Sequence, residues 1–170
     1  TYTMPNYDLE QLEALRNEYK EEWLKAGGVA RYAKGPGRVD QHTLNLSHAA
    51  GWGGMEPELN VSNAYFTSET MSGDVPRSIT FADPKTQFFT SFTLYDEDGW
   101  LREGATHINS KMWKPNPDGT ITIHFNAGKD AINNLSSGGK PFNYAVRNYG
   151  VSQNVFDGKF KPLKPEPVED

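Results

Sequence analysis

Arg147 and Tyr149 are the residues of this sequence whose types and spacing best suit ligand chemistry. They lie two positions apart in Phe142–Tyr149, whose alternating pattern predicts a β-strand, so they share one face of that strand. A guanidinium group on such a face must reach water or find an acceptor, because an unpaired buried charge is costly. A structural ion pair with a carboxylate would satisfy it, and so would a bound anion held by its planar fork of donors.

Further side chains could complete a ligand site around Arg147. Aromatic rings offer stacking faces to sugars, while imidazole and amide groups offer hydrogen bonds. The predicted ligand is a carbohydrate or a small anion, and the candidate ligand-binding residues are Arg147, Tyr149, Tyr95, Trp100, His107 and Asn109. The alternative for Trp100, as for the other tryptophans, is packing in a core or at an interface.

No motif in the chain defines a catalytic or metal centre. The four histidines lack the spacing of a zinc site, and the acidic run Asp96-Glu97-Asp98 precedes Gly99 as a tight turn requires. The sequence contains no cysteine, no Gly-x-Ser-x-Gly motif, no phosphate loop and no dinucleotide fingerprint. We therefore expect no metal and no cofactor, and we assign no catalytic residue.

Composition restricts the partners that the chain can have. Its 170 residues suffice for one domain, and the 12% aromatic content argues against disorder. The net charge of -5 gives little basis for binding a phosphate backbone. Apolar runs fall far short of the roughly 20 residues that span a bilayer. We expect a soluble chain that binds no nucleic acid and spans no membrane. It begins at Thr rather than Met, and we expect an exported or periplasmic protein.

The N-terminal segment predicts an amphipathic helix. Asp8 is the expected N-cap, with Gln11 in the capping-box position, and Gly27-Gly28 should end the helix. Apolar residues recur between them at helical spacing, at Leu12, Leu15, Tyr19 and Trp23. Such a helix needs an apolar surface to lie on. We expect it either to cover a sheet or to join two copies of the chain in a homo-oligomer.

From Ala64 onward the hydrophobic pattern changes to period two. Seven short strands are predicted, over residues 64–69, 77–81, 87–95, 100–104, 107–112, 120–126 and 142–149. The inward side chains of the last two are expected to be Ile121, Ile123, Phe125, Phe142, Tyr144 and Val146, with Asn143, Ala145 and Arg147 on the opposite face. Strands without intervening helices indicate a mainly β protein, an antiparallel β-sandwich that is jelly-roll-like.

Three segments are expected along the chain. Residues 1–47 form a helix and a basic loop, residues 48–163 form the β-sandwich domain, and residues 164–170 form a proline-rich tail. A short second helix is predicted from Asp40 to about Ala50. The tail cannot be a central strand, because proline lacks the N–H that a sheet requires, and we expect it to be extended and to lie on a neighbour.

The order of several motifs resembles a bacterial family called domain of unknown function 1214, best known as the C-terminal domain of larger two-domain proteins. The matching pieces, within about residues 48–163, are Gly51-Trp52-Gly53-Gly54, Pro57-Glu58, Tyr65, Ser91–Asp96, Gly99–Leu101, Ile108-Asn109, Asn116–Ile123, Pro141-Phe142, Val146-Arg147, Tyr149-Gly150 and Asp157-Gly158. The resemblance implies a jelly-roll sandwich and no established activity. The chain departs from the family pattern at Thr90, Ser110 and Asn134, where the family usually has Trp, Arg and Trp.

Two classes of function follow from these observations. The leading interpretation is a non-catalytic binding or assembly module that oligomerises through its N-terminal helix and its proline-rich tail. The alternative is a hydrolase or lyase that acts on a carbohydrate or a small organic acid in a cleft lined by the candidate residues. The sequence leaves open whether the protein is an enzyme.

Overall fold

A computed structural model describes residues 3, 5–25, 40–49, 59–60, 62–162 and 164–168. The chain forms two compact units, Thr1–Glu56 and Pro57–Asp170. No helix in the described ranges is long and apolar enough to cross a membrane. Several predicted features lie outside the described residues: the helix end at Gly27-Gly28, the basic loop over residues 29–39 and the motif Gly51-Trp52-Gly53-Gly54.

In the part of the first unit that the structure describes, two helices begin at aspartate caps. Helix α1 spans Leu9–Lys25 and helix α2 spans Gln41–Ala49. The Gln11 amide donates to Asp8 Oδ1 at 3.0 Å, which confirms the predicted N-cap. Asp40 caps α2 in the same way, because its carboxylate accepts hydrogen bonds from the amide and the hydroxyl of Thr43. These bonds favour the charged carboxylate and hold the pKa of Asp40 below its usual value.

Helix α2 runs antiparallel along the C-terminal half of α1. Near the start of α2, His42 Nε2 lies 2.8 Å from Glu22 Oε1, and its ring meets the Tyr19 ring edge-on at 5.8 Å. At its other end, Arg16 Nε donates to the Ala49 carbonyl at 3.4 Å. The hydrogen bond to the Glu22 carboxylate raises the pKa of His42.

The apolar stripe of α1 is covered along only part of its length. Tyr19 and Trp23 are half-buried, whereas Leu9, Leu12 and Leu15 keep 73%, 50% and 44% of their surfaces exposed. The exposed leucines mark the surface on which the expected homo-oligomer would form. That contact stays a prediction.

The second unit is a β-sandwich. Its elements are β1 (Asn63–Thr67), β2 (Arg77–Ala82), β3 (Phe89–Tyr95), β4 (His107–Asn109), β5 (Thr120–Phe125), β6 (Asn134–Leu135), β7 (Asn143–Tyr149), a short helix α3 (Gln153–Phe156) and β8 (Glu166–Pro167). The first sheet has the order β1-β7-β3-β4 and the second sheet the order β6-β5-β2-β8. The described strands pair antiparallel, except for the short parallel pair β5–β6. The mainly β sandwich with an N-terminal helix is thus confirmed.

Short segments account for the differences from the predicted strands. The expected strand over residues 100–104 is wrong: Leu101 makes one isolated bridge to Tyr95, and Gly104 adopts a φ of +97° that interrupts extended backbone. Strands β6 and β8 were not predicted. In the proline-rich tail, Pro167 pairs with Arg77 at the edge of the second sheet, where a missing N–H is tolerated.

The core lies between the two sheets and follows the predicted alternation. The predicted inward residues Ile121, Ile123, Phe125, Phe142, Tyr144 and Val146 are all buried. The Phe125 ring stacks on Tyr144 and Phe142, with centroids 4.8 and 5.7 Å away. Such rings supply much of the apolar burial that stabilises a domain of this size.

Tyr144 connects this core to the C-terminal segment. Its side chain is fully buried, and its hydroxyl donates to the Pro162 carbonyl at 2.8 Å. Burial raises the pKa of the phenol, because the phenolate is poorly solvated there. The hydroxyl is therefore a permanent donor that fixes the chain before β8.

Tyr144→Phe is expected to lower the free energy of unfolding by about 1–2 kcal/mol, because the Pro162 carbonyl loses its donor while the ring packing remains. Urea denaturation monitored by circular dichroism measures the change. The matched control is Tyr65→Phe, whose side chain is 40% exposed and whose effect should stay within about 0.5 kcal/mol. An equal decrease in the free energy of unfolding in both variants would show that the hydrogen bond from Tyr144 to Pro162 does not stabilise the fold.

A buried polar network crosses the first sheet beside this core. Thr90 Oγ1 donates to Asn148 Oδ1 at 2.9 Å, and Asn148 Nδ2 donates to the Ala64 carbonyl at 3.3 Å. The Thr90 amide also donates to Ser110 Oγ at 3.1 Å. Thr90 and Asn148 are both fully buried. Thr90 and Ser110 therefore help to connect the strands of this sheet.

Candidate functional site

The outer face of the first sheet, the face turned away from the core, carries all the predicted ligand-binding residues except Trp100. On β7, Val146 is buried in the core, so alternation points Arg147 and Tyr149 outward. On β4, His107 and Asn109 flank the buried Ile108 in the same way. The predicted grouping from separate strands therefore occurs on one continuous surface.

Strand register decides which residues are neighbours on the outer face. Arg147 lies opposite Tyr65 on β1 and Ser91 on β3. Tyr149 lies opposite Phe89 on β3. Each row thus places two large side chains side by side, Tyr65 with Arg147 and Tyr149 with Phe89.

Arg147 lies between two tyrosine rings. Its Nη2 donates to the Tyr95 hydroxyl at 2.6 Å, and its guanidinium carbon lies 5.5 Å from the Tyr95 ring centroid and 5.9 Å from that of Tyr65. These distances fall within the range of cation–π attraction. The two neighbouring rings fix the position of the cationic group on the face.

The contact between Arg147 and Tyr95 covers the middle of the sheet. Arg147 and Tyr95 lie on either side of the cross-strand pair formed by Ala145 and Thr93. The side chains of Ala145 and Thr93 are 0% and 8% exposed. Ala145 was expected on the outer face and lies there, but it is buried, because the long side chains close over it. A small residue at this position leaves room for them.

Three aromatic residues form a continuous row, here called the aromatic band: Phe89, Tyr149 and Tyr65. The Phe89 and Tyr149 centroids are 4.4 Å apart, and those of Tyr149 and Tyr65 are 6.1 Å apart. Lys111 Nζ lies 5.9 Å from the Phe89 centroid. Burial is the main cause of the raised pKa of Tyr149, which the nearby Arg147 partly opposes. The band is an apolar surface with a cation at each end.

His107 and Asn109 form a polar group on the edge strand β4. His107 Nδ1 lies 3.0 Å from Thr93 Oγ1, and its Nε2 lies 3.4 Å from Asn109 Nδ2. Asn109 Oδ1 accepts the Lys111 amide at 3.0 Å. Since β3 lies between β4 and β7, this group is separated from Arg147 by one strand. Both groups could contact one extended ligand.

Trp100 lies in the turn after β3 rather than on a strand of the outer face. Asp96 Oδ1 accepts the amides of Asp98 and Trp100 at 3.1 and 2.8 Å, and Gly99 has a φ of +87°. The acidic run is therefore part of a turn, as expected from its sequence. The Trp100 side chain is 73% exposed, so it is not in the core.

A concave feature lies apart from the outer face, between the loop after β3 and the loop after β6. It has a volume of about 450 Å³, and its charged lining residues are Asp96, Arg102, Glu103 and Lys140. Arg102 Nη2 donates to the Pro141 carbonyl at 2.6 Å, which commits part of the guanidinium to the fold. Both signs of charge are present and no ring is available for stacking, so the outer face is the better candidate.

Sequence reasoning missed Tyr65, Phe89 and Lys111 as site residues. Tyr65 and Phe89 lie in predicted strands, but only the pairing of those strands with β7 brings them beside Tyr149. Lys111 follows β4 and reaches the ring of Phe89. Within the described residues, no group of three His, Asp or Glu side chains could hold a metal ion.

Comparison with known proteins supports the fold. No family model matches the sequence, and no curated protein matches it. The crystal structure of the VPA0106 protein from Vibrio parahaemolyticus is similar, with a TM-score of 0.69 and 20% identity over 97% of this chain and 47% of that one. An uncharacterized protein from Burkholderia cenocepacia matches with a TM-score of 0.49 and 15% identity, over 97% of this chain and 44% of the other. This chain thus spans about half the length of these bacterial proteins.

Proposed function

We propose that this β-sandwich is a non-catalytic binding module that binds a carbohydrate or a small anion on the outer face of its first sheet. The observation that carries the proposal is the position of Arg147, held between Tyr65 and Tyr95 at one end of the aromatic band. Rings of this kind stack on the apolar faces of sugars, and a fixed guanidinium binds carboxylate or hydroxyl oxygens.

The polar groups of this face favour binding over glycoside hydrolysis. Hydrolysis of a glycosidic bond generally requires a pair of carboxylates on opposite sides of it. The described outward positions on the four strands contain no Asp or Glu; they are Asn63, Tyr65, Thr67, Phe89, Ser91, Thr93, Tyr95, His107, Asn109, Asn143, Ala145, Arg147 and Tyr149. A binding role needs only the rings and donors that these positions supply.

A lyase is the second candidate, and His107 favours it. Its ring is exposed, and Thr93 and Asn109 orient it by hydrogen bonds. An imidazole can act as a general base that removes a proton from a sugar carbon, while the glycosidic bond at the adjacent carbon breaks and its oxygen leaves. The same binding surface would then serve an elimination reaction.

Assembly through α1 is a further part of the proposal. The exposed Leu9, Leu12 and Leu15 support a helix-mediated homo-oligomer, which would place several ligand-binding faces in one particle. Linked sites of that kind raise the avidity for a polymeric ligand without any new contact.

The test is calorimetric titration of the full chain with neutral oligosaccharides, acidic oligosaccharides and small carboxylic acids. Tyr149→Ala should weaken the binding of a sugar ligand roughly tenfold, because ring stacking contributes about 1–1.5 kcal/mol. Arg147→Lys should weaken an anionic ligand by a similar factor, because the charge remains while the planar fork is lost.

Phe156→Ala is the matched control, since this ring is 46% exposed on α3, outside the first sheet. Binding should be unchanged in that variant. The proposal fails if no compound of the panel binds, if a sugar ligand binds Tyr149→Ala as tightly as Phe156→Ala, or if an anionic ligand binds Arg147→Lys as tightly as the unchanged chain. New ultraviolet absorbance from an unsaturated sugar, abolished in His107→Ala, would instead identify a lyase.

A further inference from the structure

The described charges associated with the outer face are positive. Arg147 projects from β7, and Lys111 lies over the ring of Phe89 at the opposite end of the aromatic band. The described carboxylates closest in sequence to these strands lie beyond their ends, at Glu69 after β1 and in the turn Asp96-Glu97-Asp98 after β3. A chain with a net charge of -5 therefore presents cations beside its aromatic band.

The spacing of the band suits a chain of sugars. Its rings come from the adjacent strands β3, β7 and β1, so it extends across about 10 Å, given about 4.8 Å between neighbouring strands. That length accommodates consecutive sugar rings rather than one small molecule. The two cations at its ends can then meet groups on different residues of the same chain.

We infer that the ligand is an acidic polysaccharide, a chain of uronic acids whose sugar rings lie on the aromatic band and whose carboxylates pair with Arg147 and Lys111. This inference rests on the proposed function and specifies its ligand. A neutral glycan would use the rings but would bring no carboxylate to either cation, whereas a uronic acid chain supplies one on each sugar. Nucleic acid needs a denser array of positive charge than this face contains.

Lys111 provides a selective way to test the inference. Its side chain is exposed, and its structural role in the loop is a backbone hydrogen bond to Asn109 that a substitution preserves. Lys111→Gln therefore removes charge from one end of the band without altering the sheet. The matched control is Lys129→Gln, at an exposed lysine in the loop between β5 and β6 of the second sheet.

The experiment is calorimetric titration of the full chain with tetramers of galacturonate, mannuronate and guluronate, each paired with its methyl ester. At least one acidic tetramer should bind, at least about tenfold more tightly than its ester and than the corresponding monomer. Lys111→Gln should weaken that tetramer roughly fivefold and leave the ester unchanged. Lys129→Gln should change the affinity for neither the acidic tetramer nor its ester. Tyr149→Ala should weaken the binding of both.

Three results would overturn the inference: none of the acidic tetramers binds, the ester binds as tightly as the acid, or the monomer binds as tightly as the tetramer. Each is distinguishable from failure of the proposed function. If neutral glycans or small acids still bind and Tyr149→Ala weakens them, the binding module stands and only the acidic polysaccharide is rejected. If nothing binds, both are rejected.

Discussion

Gly150→Ala is expected to lower the free energy of unfolding by about 2–5 kcal/mol. Gly150 follows β7 with a φ of +71°, where a side chain costs about 1–2 kcal/mol. An added Cβ would also lie 2.6 Å from Gln87 Cβ and 2.9 Å from Phe88 Cδ2. Such overpacking adds about 1–3 kcal/mol. The Gly150 carbonyl accepts the Gln87 amide at 3.0 Å, so relief of the clash must disturb the start of β3.

Gly128→Ala separates the two contributions. Gly128 has a φ of +89°, but an added Cβ there meets nothing within 4 Å. Gly128→Ala should therefore lower the free energy of unfolding only by the conformational cost of about 1–2 kcal/mol. Chemical denaturation of both variants gives the comparison. The expected packing penalty is absent if Gly150→Ala proves no more destabilising than Gly128→Ala. In that case Gln87 and Phe88 move away from the added Cβ at no measurable energetic cost.

Asn148→Leu should lower the free energy of unfolding by about 2–4 kcal/mol. The substitution removes both side-chain hydrogen bonds of a fully buried residue and leaves Thr90 Oγ1 and the Ala64 carbonyl without that partner. The branched side chain must also fit a site shaped for a planar amide. Equilibrium urea unfolding, with a check that the slope is unchanged, measures the effect.

A double-mutant cycle with Thr90→Val shows whether the network is the cause. Removing both partners leaves fewer unpaired groups than removing one, so the double variant should be less destabilised than the sum of the two single variants. Fully additive losses would mean that Thr90 and Asn148 act independently, in spite of their 2.9 Å hydrogen bond.

Local signals in the sequence were sufficient for the elements with strong caps or strong alternation. The Asp8 cap of α1 and the inward face of β5 follow from residues a few positions apart. The strands β6 and β8 are two residues long each, too short for any periodicity. They exist because the neighbouring strands β5 and β2 supply their hydrogen bonds.

The candidate site was predictable in part. Alternation correctly placed Arg147 and Tyr149 on one face, because that depends on their own strand alone. The presence of Tyr65 and Phe89 beside them depends on the register of three strands that are far apart in the chain. No single-strand pattern contains that information. The burial of Ala145 depends on the same register.

The pairing of β1 with β7 has a consequence for synthesis on the ribosome. The Asn148 side chain meets the Ala64 carbonyl across 84 residues of chain, so β1 leaves the exit tunnel long before its partner. Until β7 emerges, β1 has no strand beside it and β3 lacks its central neighbour. Such non-local closure slows folding and exposes strand edges to other nascent chains. We expect β1 and β3 to stay open to such contacts until Asn143–Tyr149 has emerged from the ribosome.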